Sequence, residues 1–131
     1  MNIVFDTETL LAFYLGEPAG KNVERRLVET MKGEIKSYLN IVNLTELYYI
    51  LYRKNPEIAE EKERNLRGYG VEIVPVKDNE LWREAAKTKG KHALSLADAF
   101  AVATAKVKNA TLLVGQDPEF DGLDISIERI S

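Results

Sequence analysis

Residues 95–108 read SLADAFAVATAKVK, and the way this stretch must pack decides the fold. Set on a helix of about 3.6 residues per turn, it carries two apolar stripes instead of one. Leu96, Phe100, Ala103 and Val107 form a bulky stripe, while Ala101, Val102 and Ala105 form a thin one with Asp98 at its head. A helix apolar on two faces is expected to be sandwiched between layers, which puts Asp98 at the edge of a packed interior. A carboxylate there needs a partner, because unpaired charge away from water is costly. Ser95 followed by Asp98 also has the spacing of a capping box, and acids suit the positive end of a helix, so a purely local role stands beside a chemical one.

On either side of this helix the chain alternates between short apolar runs and amphipathic segments. Residues 2–5 (NIVF) are a strand candidate ended by Asp6, and residues 9–15 suit a short helix stopped by Gly16 and Pro18. Residues 21–32 place Val23, Leu27, Val28 and Met31 on one helical face and Glu24, Arg25, Arg26 and Glu29 on the other. A second strand is expected over 35–39, with Asn40 capping a helix over 42–54. Asn55-Pro56 breaks the chain before a charged helix over 57–67. A β-branched strand follows over 71–76, then a helix capped by Asp78 or Asn79 that runs to Lys87 and gives way to a basic loop over 87–92. Residues 111–114 form a further strand, Asp117-Pro118 turns the chain, and an edge strand is expected over 125–130.

Such alternation implies a three-layer α/β/α sandwich around a mainly parallel sheet of four to five strands, with residues 1–131 forming a single domain. The chain is 45% hydrophobic, enough for a substantial core, and no apolar run is long enough to span a bilayer. MNIVFDTETL carries an acid at its sixth residue and no basic leader, so a cytoplasmic location is expected. Without cysteine, and with a single histidine, thiolate and histidine-rich metal sites are excluded. A net charge of −3 does not advertise nucleic-acid binding, yet a local basic patch can hold phosphates on an acidic protein.

In parallel sheets the ligand cleft lies beyond the carboxyl ends of the strands. Asp6 and Asp117 follow strand candidates, and Asp98 and Glu46 lie in the first two turns of helices whose N-termini belong to that same edge. Four carboxylates are thereby aimed at one rim. Two like charges about 4 Å apart cost ~4 kcal/mol at an effective dielectric of 20, so protons or a cation must relieve them. Oxygen-only ligands suit Mg²⁺ or Mn²⁺, and the chemistry that follows is metal-assisted hydrolysis of a phosphoester. For Glu46 the local alternative is a surface pair with Arg53, two turns away.

Asp6-Thr7 after NIVF, Glu46 in NLTEL, Asp98 in SLADAFAVATA and Asp117 in LLVGQDPEF resemble, in order and spacing, the PIN-domain ribonucleases, and most closely the small VapC-type toxins. The resemblance covers nearly the whole chain. It implies Mg²⁺- or Mn²⁺-dependent endonucleolytic cleavage of RNA, neutralisation by a small antitoxin protein, and a homodimer. Asp6, Glu46, Asp98 and Asp117 would then be the metal-site acids, and Thr7 a supporting hydroxyl. One departure stands out. Gly115 occupies the position two before the last acid, where the family often has a hydroxyl, and Thr111 and Gln116 are the candidates to compensate.

Three other readings remain open at this level. FDTET matches the first motif of proofreading-type (DEDD) 3′–5′ exonucleases, which would pair Asp6 with Glu8 and make His92 the base, although those enzymes continue into an antiparallel strand. A haloacid-dehalogenase-type phosphatase would use Asp6 as nucleophile, with Asp117 and Asp121 as its late acids, but leaves Glu46 and Asp98 without a task. The last is an inactive RNA- or protein-binding module. For an RNA substrate the flanking cations would come from Arg25, Arg26, Arg53, Lys54, Lys87, Lys89 and Lys91. Tyr48, Tyr49 and Tyr52 read as core, with part of their two-faced helix left for a dimer or antitoxin contact.

Overall fold

A computed structural model describes all 131 residues. Five strands, β1 (Asn2–Phe5), β2 (Lys36–Asn40), β3 (Glu72–Val74), β4 (Thr111–Val114) and β5 (Ile127–Arg129), form one sheet in the order β3-β2-β1-β4-β5. Every pairing is parallel, with Ile3 beside Ser37 on one side and Thr111 on the other. The helices are α1 (Thr7–Tyr14), α2 (Gly20–Met31), α3 (Ile41–Lys54), α4 (Pro56–Gly68), α5 (Asn79–Lys91) and α6 (Leu96–Val107).

The period-two alternation of the strands sorts their side chains between two cores. Ile3 and Phe5 of β1, Leu39 of β2 and Leu113 of β4 join Leu10, Val23, Leu27, Leu44, Leu47 and Leu51 from α1, α2 and α3 on one face. Val4, Tyr38, Leu112 and Val114 meet Leu81 and Ala85 of α5 and the alanine-rich side of α6 on the other. The result is a three-layer α/β/α sandwich. The chain winds outward from β1 through β2 to β3 and then returns to β1's other side as β4, so the strand order reverses between β1 and β4. At such a switch point a crevice opens beyond the carboxyl ends of the strands.

Three expectations change. The thin stripe of α6 is the deeper one: Ala101, Val102 and Ala105 are fully or almost fully buried, whereas Leu96 of the bulky stripe is 57% exposed. Small side chains let a helix approach a sheet closely, and α6 lies against β1, β2 and β4 at once. The basic loop over 87–92 is helix as far as Lys91, pinned by the buried Thr88 and by Lys89 Nζ donating to the Leu94 carbonyl at 2.9 Å. Tyr49 and Tyr52 are exposed rather than core. No helix is long and apolar enough to cross a membrane.

Candidate functional site

The rim at the β1–β4 switch is built first by Asp6. It ends β1 and caps α1, its Oδ1 accepting the Thr9 N–H at 2.8 Å, so the helix starts two residues earlier than its apolar pattern predicts. The side chain is completely buried, and its second oxygen, Oδ2, has no hydrogen-bond partner. The carboxyl is raised to about 7: burial is the largest cause, hydrogen bonding from Thr9 opposes it, and the charges of Asp98 and Glu8 add to it.

Asp98 lies in the first turn of α6, where Ser95 Oγ accepts its N–H at 3.1 Å. Partial burial raises its carboxyl above the usual range, the Ser95 hydroxyl lowers it, and the charges of Glu46, Glu8 and Asp117 all raise it. Asp98 is thus the acid on which the others converge. Glu46, on the second turn of α3, is half-buried, and the alternative surface pair with Arg53 does not form, since that guanidinium lies over the Tyr49 ring at 5.0 Å. Asp117 is exposed at the end of the loop after β4, and its Oδ1 takes the Glu119 N–H at 2.9 Å to cap a single 3-10 turn, Pro118–Phe120. None of the four acids enters an ion pair. They share a rim without being gathered, for no three acidic or histidine side chains stand at ligating distance of one another.

Three further residues shape the rim: Glu8 entered only the exonuclease reading of the sequence, and Asn43 and Arg129 escaped its motifs. Glu8 is exposed, and its charge acts on both Asp6 and Asp98. Asn43 is fully buried and donates to Thr7 Oγ1 at 3.3 Å and to the Ala97 carbonyl at 3.0 Å. Arg129 of β5 clamps the Asp117 loop, donating to the carbonyls of Gly115 and Asp117 at 2.8 and 3.0 Å and to Asp121 at 2.6 Å. Of the residues expected to compensate for Gly115, Thr111 is engaged with Ser126 and Gln116 with the Ile130 carbonyl, so Gln116 and Arg129 together tie this loop to the last strand. An arginine 14 residues from the loop carbonyl it binds leaves no local signal.

The cations sort by position. Arg26 is committed to Glu128 and Glu29, which removes it from the candidates for phosphate binding. Arg53 and Lys54 end a 14-residue helix that starts at the rim, which sets them about 10–12 Å along its axis beyond Glu46. A Glu84–Lys106 pair joins the middle of α5 to the end of α6, and only residues 92–95 link the end of α5 to the start of α6, so the two helices run antiparallel and the Lys87–Lys91 end of α5 lies beside the Asp98 end of α6. Lys87 and Lys91 are exposed there and unpaired, whereas Lys89 is bound to Leu94. His92, the base required by the exonuclease reading, is an exposed residue closing α5, and β1 runs straight into a helix instead of an antiparallel strand. Asp121, the late acid of the phosphatase reading, is paired with Arg129.

The donor set fits a hard divalent cation. A buried carboxylate with one oxygen unpartnered and like charges as neighbours is relieved either by a proton, as its raised pKa shows, or by a cation.

A family model described as PIN domain matches residues 3–125. No curated protein matches in sequence. Among solved structures, the chain is similar to VapBC2 of Rickettsia felis bound to a DNA fragment from its promoter (17% identity, 98% of each chain covered, TM-score 0.77). A toxin–antitoxin complex from Klebsiella pneumoniae is comparable (15% identity, 96% of this chain and 95% of that one, TM-score 0.76), as is DNA-bound VapBC from Salmonella typhimurium (14% identity, 98% of each, TM-score 0.75). At these identities the likeness is one of fold.

Proposed function

The chain belongs to the PIN domain family, and from that premise we propose that residues 1–131 act as one nuclease domain, a cytoplasmic VapC-type toxin that hydrolyses RNA phosphodiester bonds endonucleolytically with Mg²⁺ or Mn²⁺ held by Asp6, Glu46, Asp98 and Asp117. The observation that carries this reading is the buried, unpartnered Oδ2 of Asp6 beside the charge of Asp98, with no basic side chain to neutralise either. A divalent ion bound there would polarise a phosphoryl oxygen and activate a water for in-line attack on phosphorus.

The chain's own residues do the rest. Asp6 and Asp98 supply the deeper carboxylates, which must lose their protons for an ion to bind, so affinity rises with pH through about 7. Glu46 and Asp117 supply the outer ones, and Thr7 supports Asp6 by tying the start of α1 to the Asn43 backbone carbonyl at 3.4 Å. Lys87 and Lys91 flank the Asp98 end of the rim and are suited to hold the substrate's phosphates.

The structurally similar toxins occur in complexes with antitoxins, and the surface of α3 gives a place for a comparable contact. Ile41, Tyr49 and Tyr52 are large, exposed and on one helix, as expected for a homodimer or antitoxin interface. Sedimentation at micromolar protein tests the dimer, and a monomer would refute it.

The decisive experiment mixes the purified protein with a structured RNA and Mg²⁺ or Mn²⁺, then maps the ends produced. Internal cuts that vanish with chelator and in Asp98→Asn support the reading. Trimming only from a 3′ end, turnover of a small phosphomonoester alone, or binding without cleavage would overturn it.

A further inference from the structure

Asn40 and Asn43 are both fully buried at the start of α3, yet only one of them is used up by the fold. Asn40 caps the helix, its Oδ1 accepting the Val42 N–H at 2.8 Å while its Nδ2 donates to Thr104 at 3.0 Å. The cap is therefore already supplied when the chain reaches Asn43. A buried amide there is costly unless satisfied, and its Oδ1 is not satisfied. Only three buried side-chain polar atoms in the protein lack a partner, and two of them are Asp6 Oδ2 and Asn43 Oδ1.

What Asn43 does with its other end is specific. Its Nδ2 donates both protons, one to Thr7 Oγ1 at 3.3 Å and one to the Ala97 carbonyl at 3.0 Å. A backbone carbonyl can only accept, so the amide can be oriented in this way alone. Thr7 returns the contact by donating to Asn43's own carbonyl at 3.4 Å. Each member of this knot adjoins a different acid of the rim: Thr7 follows Asp6, Ala97 precedes Asp98, and Asn43 stands one helical turn before Glu46. One side chain thereby joins α1, α3 and α6, whose starts carry Asp6, Glu46 and Asp98.

We infer that Asn43 is a positioning residue that holds Asp6, Glu46 and Asp98 in one fixed arrangement for the proposed metal-dependent cleavage. The inference rests on the nuclease reading above and deepens it. Like charges would drift apart if their elements were free to move, and a neutral tether between those elements resists this without adding a fourth negative charge to the interior. Groups that orient ligating carboxylates are typically worth about 10–100-fold in metal affinity or activity.

The test uses Asn43→Leu, which keeps the branched heavy-atom skeleton without hydrogen bonds, and Thr7→Val, with the double variant closing a cycle. Mn²⁺ affinity is measured by calorimetry on protein alone, and RNA cleavage is measured with kcat and KM separated. The expected result for Asn43→Leu is a fall of about 10–100-fold in both Mn²⁺ affinity and kcat, with KM for RNA unchanged. The double variant should lose little more than the worse single one. Melting that falls while Mn²⁺ affinity and kcat stay within about two-fold of the parent would make Asn43 a structural residue only and overturn the inference. Should Asn43→Leu fail to fold, Thr7→Val, which leaves Asn43 in place and removes its hydroxyl partner, is held to the same two readouts. Hydrogen exchange of the Asn43 side-chain amide in the metal-free protein separates this inference from the function it rests on. Slow exchange supports the tether even in a protein that cuts no RNA, and exchange as fast as that of a surface amide refutes it.

Discussion

The two ends of the acidic rim are built by opposite means. At the β1 end Asp6 is sealed in the interior, capped onto its own helix and tied through Thr7 and Asn43 to α3 and α6. At the β4 end Asp117 stands in water on a loop held by a surface arginine, by Gln116 and by Phe120, which plugs into the core. Burial gives the first end a raised carboxyl and a fixed geometry, whereas the second takes its geometry from a clamp that solvent can reach. In the proposed nuclease the two kinds of carboxylate divide the work: the insulated one gives strong electrostatics, and the open one admits an ion and a phosphate.

The largest effects belong to the buried end. Asp6→Asn and Asp98→Asn should each lower cleavage by about 10²–10³-fold or more while leaving the fold intact, which circular dichroism and end-mapping of RNA would establish together. A loss of several degrees in melting temperature for Asp98→Asn would point to a capping role instead. That outcome is not expected, because the cap is Ser95 Oγ, and Ser95→Ala should cost about 1 kcal/mol on its own.

Next comes stability against pH. Asp6 has an ordinary value of 3.8 and is raised to about 7 in the fold. The native state therefore binds the proton more tightly than the unfolded chain. Its contribution is fully present below pH 3.8 and is lost as pH rises to about 7, a span worth up to about 4 kcal/mol. Metal-free protein should be less stable in urea at pH 8 than at pH 5. Asp6→Asn should flatten that slope, and Mn²⁺ should stabilise the parent more at pH 8 than at pH 5. A parent protein equally stable at both pH values without metal would mean that Asp6 is not insulated.

The open end gives a smaller effect. Arg129→Gln leaves the β4–β5 ladder in place but frees the Gly115 and Asp117 carbonyls. Cleavage should fall about 10-fold through kcat, with stability changed by no more than about 1 kcal/mol, since the Asp121 side of the pair is largely exposed. An effect as large as that of Asp6→Asn would erase the distinction between the two ends.

Which of these features the sequence discloses follows from the range of the interactions. Strands β1 and β4 announce themselves as the apolar runs NIVF and TLLV, and Asn40, Asp78 and Ser95 are visible as caps because their partners lie two or three residues away. The inward aim of Asp6, Glu46 and Asp98 follows from strand ends and helix starts. What stays hidden acts across long separations: Arg26 meets Glu128, 102 residues on, and Asn43 meets Ala97, 54 residues on. The end of α5 is hidden for another reason. Residues 87–92 read as a solvated basic loop, but the turn is held by the buried Thr88 and by Lys89 donating to the Leu94 carbonyl. Leu96 misleads in the same way, since size argues for burial while the sheet accepts only the alanine face of its helix.

The smallest effect asks where RNA lies along the rim. Lys87 and Lys91 are exposed at the end of α5 that adjoins Asp98, and Arg53 and Lys54 are exposed at the far end of α3. All four carry the same charge, so composition cannot separate them, and only the direction of their helices does. Each phosphate contact on a single strand contributes about 0.7 to the slope of log affinity against log salt. Lys87→Ala with Lys91→Ala should therefore reduce that slope by about 1.4 and raise KM without changing kcat, because these residues hold the substrate and leave the carboxylates undisturbed. Arg53→Ala with Lys54→Ala should leave slope and KM as they were. If the second pair changed the slope and the first did not, the strand would run across α3, and the exposed tyrosines there would be a stacking platform for bases rather than a contact for a second protein.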